Sequence, residues 1–166
     1  SFLRISGFNS SRMRFFYSRL GANFYAIHSL FEQLYGSRSD FYEQLKRLVE
    51  VMAKNYIQRP QSYKVKDREK EENHNWFLHQ RWVGMVLYAN CFSKDLDDLT
   101  KRVDYFTELG VNFVHILPIL KCPEGHSDGG YAVSDFRQVD ERFGSNESLE
   151  NLIDALHESD SLIALD

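Results

Sequence analysis

A chain of 166 residues suits one ordinary domain, or a domain with a second small unit, and 43% hydrophobic residues exclude a disordered chain. Its net charge of −4 leaves no basic field to draw in nucleic acid. Two distant cysteines, Cys91 and Cys122, form neither a disulfide framework nor a CxxC metal site, so buried free thiols and a cytoplasmic location are expected.

No apolar run approaches the about 18 residues of a membrane span, so no membrane partner is expected. The opening SFLRISGFNSSRMRFF scatters arginines without the continuous apolar core of a signal peptide.

From about Ser11 to Arg59 apolar residues recur at helical spacing. Leu30, Phe31, Leu34 and Tyr35 form one stripe, and Phe41, Leu45, Leu48, Val49, Met52 and Tyr56 form another. Between them, GSRSD offers Gly36 to end one helix and Ser39 or Asp40 to start the next. Pro60 marks the end of the second helix, and KVKDREKEEN reads as a solvated helix or linker. Residues 1–75 are therefore expected to be a helical unit.

After Trp76 the period changes. VGMVLYAN reads as a strand and KDLDDLTKRVDYFTELG as one helix, with Leu96, Leu99, Val103 and Phe106 facing inward and Gly110 ending it. Asp95, Asp97 and Asp98 lack the glycine and terminal glutamate of a calcium loop, and no metal site is assigned. VNFVHILPI is a second strand, in which His115 reads as a satisfied buried histidine rather than a ligand. SNESLENLIDALHESD is a helix capped by Ser145 or Asn146, and SLIALD is a third strand. Apolar strands separated by helices indicate βαβ units and a parallel sheet, with ligand-facing loops at the strands' carboxyl ends.

One such loop is CPEGHSDGGYAVSDF, from Cys122 to Phe136. Read from the residues alone, SDGG is most simply a turn. None of its acids, nor Asp140 or Glu141 beyond it, is attached to a pair of rigid strand ends, so no catalytic residue is assigned within the chain.

The stretch KCPEGHSDGGYAVSDFRQVD, followed by a helix and a strand ending in Asp166, resembles the start of the catalytic barrel of amylosucrases. These are sucrose-using members of the alpha-amylase superfamily, glycoside hydrolase family 13. LFEQLYGSRSDFYEQLKRLVEVMAKNY and REKEENHNWFL resemble the helical domain that precedes that barrel.

The resemblance implies an α/β fold: an N-terminal helical domain over 1–75, then over 76–166 the first three β-strands and two helices of a truncated (β/α)8 TIM barrel. It implies a parent enzyme that moves glucose from sucrose to an α-1,4 glucan through a covalent glucosyl-enzyme, releasing fructose, with no cofactor. Sucrose hydrolysis, another α-glucosidase or alpha-amylase superfamily hydrolase activity, and a non-enzymatic carbohydrate-binding or helical interaction module are the alternatives. By the resemblance Asp128 is a holder of sugar hydroxyls, Tyr131 an aromatic platform for the glucosyl ring, and Asp166 an active-site floor residue at the first position of a D-x-x-x-N-H motif.

The family's nucleophile, acid/base and third carboxylate lie on later strands. The chain is thus expected to be an N-terminal portion, inactive alone. Two departures stand out. Asn90 replaces the family's usual aspartate after the first strand. ESDSLIALD lacks the usual glycine before the third, which makes a left-handed helix cap costlier.

Overall fold

The computed structural model describes residues 10–166, with side chains from Met13 onward; residues 1–9, which open the stretch read for a leader, lie outside them. The chain divides into two compact units at Asn73/His74.

In the first unit α1 (Ser10–Tyr35) and α2 (Phe41–Gln58) form a helical hairpin. Met13 and Phe16 of α1 pack with Ala53 of α2, and Phe31 meets Phe41 at a ring separation of 5.6 Å, so the helices run antiparallel. Of the stripe expected to be buried on α1, Leu30 (62% exposed), Leu34 (72%) and Tyr35 (43%) stand in solvent. The buried face lies earlier in the helix, where α2 has apolar partners to offer. Asp40 occupies the N-cap of α2 but makes no side-chain cap bond, because Arg38 and Gln44 hold its carboxylate instead. Pro60 precedes α3 (Gln61–Glu72), which has no buried residue, as its charge pattern predicts.

The second unit holds a parallel sheet of β1 (Gly84–Leu87), β2 (Phe113–Ile116) and β5 (Leu162–Leu165), in the order β1-β2-β5. Between β1 and β2 lie a helical turn α4 (Ala89–Phe92), α5 (Leu96–Thr100) and α6 (Val103–Glu108). The single helix expected here is broken. Arg102 N–H donates to Leu99 O, a tightened bond that interrupts the ladder, yet Leu96, Leu99, Val103 and Phe106 all stay buried.

A hairpin of β3 (Leu120–Lys121) and β4 (Asp135–Val139) follows β2, and α7 (Asn146–Glu158) precedes β5. The stretch from Cys122 to Phe136 is therefore a loop closed by an antiparallel ladder, and its last two residues are strand. Ser145 caps α7 through a reciprocal bond pair with Ser148. Consecutive parallel strands linked through helices make this the α/β architecture that opens a (β/α)8 barrel.

Because side chains alternate along a strand, each strand has a core face and an opposite face. Val114 and Ile116 of β2 are fully buried beneath α5, α6 and α7. On the other face Val86, His115 and Ala164 share one register row, and Val86 is 62% exposed. The strands, apolar throughout in sequence, thus bury one face only among the described residues. Cys91 is exposed on α4, against the expectation of a buried thiol; Cys122 is half-buried and donates to Gly130 O at 3.1 Å.

Candidate functional site

The loop between β3 and β4 is built around a run of positive φ angles: Asp128 (48°), Gly129 (67°) and Gly130 (100°). At Gly130 no side chain fits, since an added Cβ would lie 2.8 Å from Pro118 Cβ and 3.2 Å from Pro118 O. Asp128 has no such exemption from steric cost. A non-glycine residue held left-handed is a strained position of the kind that clusters at functional sites. Ser127 O accepts from Gly130 and Ala132, and Asp128 O from Tyr131, so the turn is closed by its own backbone.

The turn projects Tyr131 back over the carboxyl end of the sheet. Its hydroxyl donates to Asp166 Oδ2 at 3.0 Å. That bond, then desolvation, raises the phenol above its ordinary value, because the neutral O–H form is the one Asp166 stabilises. Tyr131 is nevertheless 55% exposed, so a ring anchored at its tip keeps area open to solvent.

Asp166 follows β5, and its N–H donates to Ile116 O at 3.3 Å, which continues the ladder beyond the strand. It stands two residues past Ala164, on the same sheet face as His115. His115 Nε2 lies 3.4 Å from Asp166 Oδ1.

Two of the three residues singled out by sequence, Tyr131 and Asp166, are thus bonded to each other across 35 positions of chain. The third, Asp128, sits in the same turn as Tyr131, but its carboxylate is exposed and bonds neither of them. Asn90 lies exposed in α4. His115 was expected to be a satisfied core residue; it is half-buried and faces a carboxylate. Its signal was a lone imidazole in an apolar strand, whose partner only strand register reveals.

Below the loop, Asp140 accepts from Arg142 through N–H, Nε and Nη2, a contact that holds its carboxyl below the usual range. Arg142 is mostly exposed, and this pair shapes the turn after β4 rather than a site. Asp95 caps α5 by accepting from Asp98 N–H, a structural use of the acids in that run. Among the described residues no group of three His, Cys, Asp or Glu is placed to hold a metal.

The alpha-amylase family, described as the alpha amylase catalytic domain, matches residues 59–166. An alpha-glucosidase of Schizosaccharomyces pombe is 40% identical over 72 residues, covering 43% of this chain and 12% of that protein. A maltogenic alpha-amylase of Bacillus acidopullulyticus is 35% identical over 77 residues, covering 46% and 13% respectively. Among solved structures, a family GH13_31 enzyme is 31% identical with a TM-score of 0.46, covering 52% of this chain and 17% of that one. The chain spans about an eighth of the length of the two curated relatives.

Proposed function

Since the chain belongs to the alpha-amylase family by its match to the catalytic domain, we propose that it supplies the sugar-holding side of an enzyme site for α-glucosides. Tyr131 is the platform against the apolar C–H face of a glucosyl ring. Asp128 accepts hydrogen bonds from sugar hydroxyls, and Asp166 is the floor that fixes the platform. The observation carrying this reading is the Tyr131–Asp166 bond, which ties a half-exposed ring to the carboxyl end of a parallel strand.

Retaining glycoside chemistry needs two carboxylates about 5 Å apart, one to attack and one to protonate the leaving oxygen. Nothing in this chain is assigned either role. The chemistry belongs to residues outside it, and the whole protein's activity is part of the proposal.

The finer reading is a sucrose-using glucosyltransferase that releases fructose and lengthens an α-1,4 glucan. Its support is the resemblance of KCPEGHSDGGYAVSDFRQVD to amylosucrases. The printed names of the relatives, an alpha-glucosidase and a maltogenic alpha-amylase, favour hydrolysis as the second reading.

Product analysis of the protein expressed from its longest reading frame separates them. Fructose released from sucrose without matching glucose supports transfer, and equal amounts mean sucrose hydrolysis. Turnover of maltose alone means an α-glucosidase. Binding without turnover of either sugar leaves a carbohydrate-binding module. In each case Tyr131→Ala should weaken sugar binding by about 5–100-fold, the order expected from removing an aromatic anchor. Unchanged binding would sink the platform assignment.

A further inference from the structure

We infer that His115 is a positioning residue that fixes the Tyr131 ring through Asp166, an inference that rests on reading Tyr131 as the sugar platform. Asp166 is held from three directions. Its N–H is tied to Ile116 O, its Oδ2 accepts from the Tyr131 hydroxyl at 3.0 Å, and its Oδ1 lies 3.4 Å from His115 Nε2.

The three side chains come from three separately anchored places. His115 stands on the middle strand of the sheet, paired on both sides with Val86 and Ala164. Asp166 continues the neighbouring strand, and Tyr131 tops a turn whose glycine packs on Pro118. A carboxylate gripped at one oxygen can still rotate about its side-chain torsions. With the His115 imidazole 3.4 Å from the other oxygen, a polar contact longer than a good hydrogen bond, fewer of those rotations stay open and the phenol that donates to Asp166 is steadied in turn.

His115 and Asp166 keep side-chain exposures of 29% and 34%, so the pair is shielded more than a surface contact but is not sealed. The proposed role of the histidine runs through Asp166 rather than through the sugar face. It acts by denying Asp166, and so Tyr131, alternative rotamers.

The test uses the protein from its longest reading frame, with tyrosines labelled at Cζ and the Tyr131 resonance assigned by Tyr131→Phe. Asp166→Ala removes the acceptor and moves that resonance. His115→Leu should move it in the same direction, and His115→Gln, which restores an N–H near the Nε2 position, should return it. The other tyrosine resonances report whether each variant stays folded.

Maltose is the binding probe: His115→Leu should weaken it about 3–10-fold and His115→Gln should recover it, the size of one lost polar contact. A Tyr131 resonance that moves in Asp166→Ala but not in His115→Leu overturns the inference, as does one that moves in neither. Maltose binding indifferent to Tyr131→Ala defeats the platform reading instead, while the resonance still decides the link to His115.

Discussion

In the helical hairpin, Met13, Phe16, Phe41, Leu45 and Ala53 are buried, while Tyr25, Leu30, Leu34 and Tyr42 on the same two helices stand in solvent. In the sheet unit, Leu96, Leu99, Phe106, Leu152 and Leu156 are all inaccessible on helices with the same apolar spacing. The spacing finds a helix's apolar face but says nothing of what covers it. The two helices of the hairpin share one apolar seam. Helices laid on a sheet are closed from below by Val114 and Ile116 and from the side by one another, as α5 and α7 are.

The sharpest way to break this contrast is to truncate matched stripe positions. Phe106→Ala in the sheet unit should cost about 3–5 kcal/mol, the usual range for a fully buried aromatic. Leu34→Ala in the hairpin, 72% exposed, should change stability by less than about 0.5 kcal/mol. Urea denaturation of each variant is the measurement. Equal losses would mean that Leu34 is covered in solution.

The same contrast sets what the sequence made legible. Strands at 84–87, 113–116 and 162–165 were readable as apolar runs, and the helix after Ser145 because its buried face, with Leu152 and Leu156, repeats at helical spacing. The β3–β4 hairpin was not, because β3 is two residues long and a register shift separates Leu120 from Lys121. The break at Arg102 was hidden because α5 and α6 present one continuous inward face across it. In the site, Tyr131 and Asp166 emerged only by family resemblance; from residues alone SDGG was a turn, which it also is. The partner of His115 was not legible because it is distant in sequence and adjacent only through parallel register.

The next largest effect lies in the loop itself. Gly130→Ala should cost about 1–3 kcal/mol, because φ is 100° and the new Cβ would meet Pro118 at 2.8 Å. Gly129→Ala, at φ 67° with Tyr131 Cδ2 at 3.9 Å as its nearest contact, should cost only about 1 kcal/mol of backbone strain. Denaturation midpoints separate the two. Parity between them would show that the Gly130–Pro118 contact yields readily.

Two helix ends within the sheet unit give a smaller effect of opposite sign. After α6, Gly110 (φ 75°) is followed by Val111 N–H donating to Phe106 O; after α7, Asp160 (φ 60°) is followed by Ser161 N–H donating to Leu156 O. Both are Schellman caps, one with glycine at the left-handed position and one without. The aspartate takes the left-handed position without glycine's conformational freedom, and the backbone keeps the turn regardless. Gly110→Ala should therefore destabilise by about 1 kcal/mol, and Asp160→Gly should stabilise by up to about 1 kcal/mol. A loss on Asp160→Gly would show that the aspartate side chain contributes more than its backbone strain costs.

The smallest effect returns to the two units, through a pair of Arg–Asp contacts with the same two-residue separation. In the hairpin Arg38 holds Asp40, whose side chain is 30% exposed; in the sheet unit Arg142 holds Asp140, whose side chain is 12% exposed. In both, the guanidinium hydrogen bond lowers the carboxyl below its ordinary value of about 3.9. A depressed carboxylate stabilises the fold above its unfolded pKa, and that contribution is lost as pH falls through the lower folded pKa. Both pairs should therefore support the fold near neutrality and fade below about pH 4. Because water screens the more open pair, Asp140→Asn should flatten the acid limb of stability more than Asp40→Asn does. Urea midpoints measured from pH 6 down to pH 2.5 for the two variants decide it; a larger flattening from Asp40→Asn would reverse the ranking that burial sets.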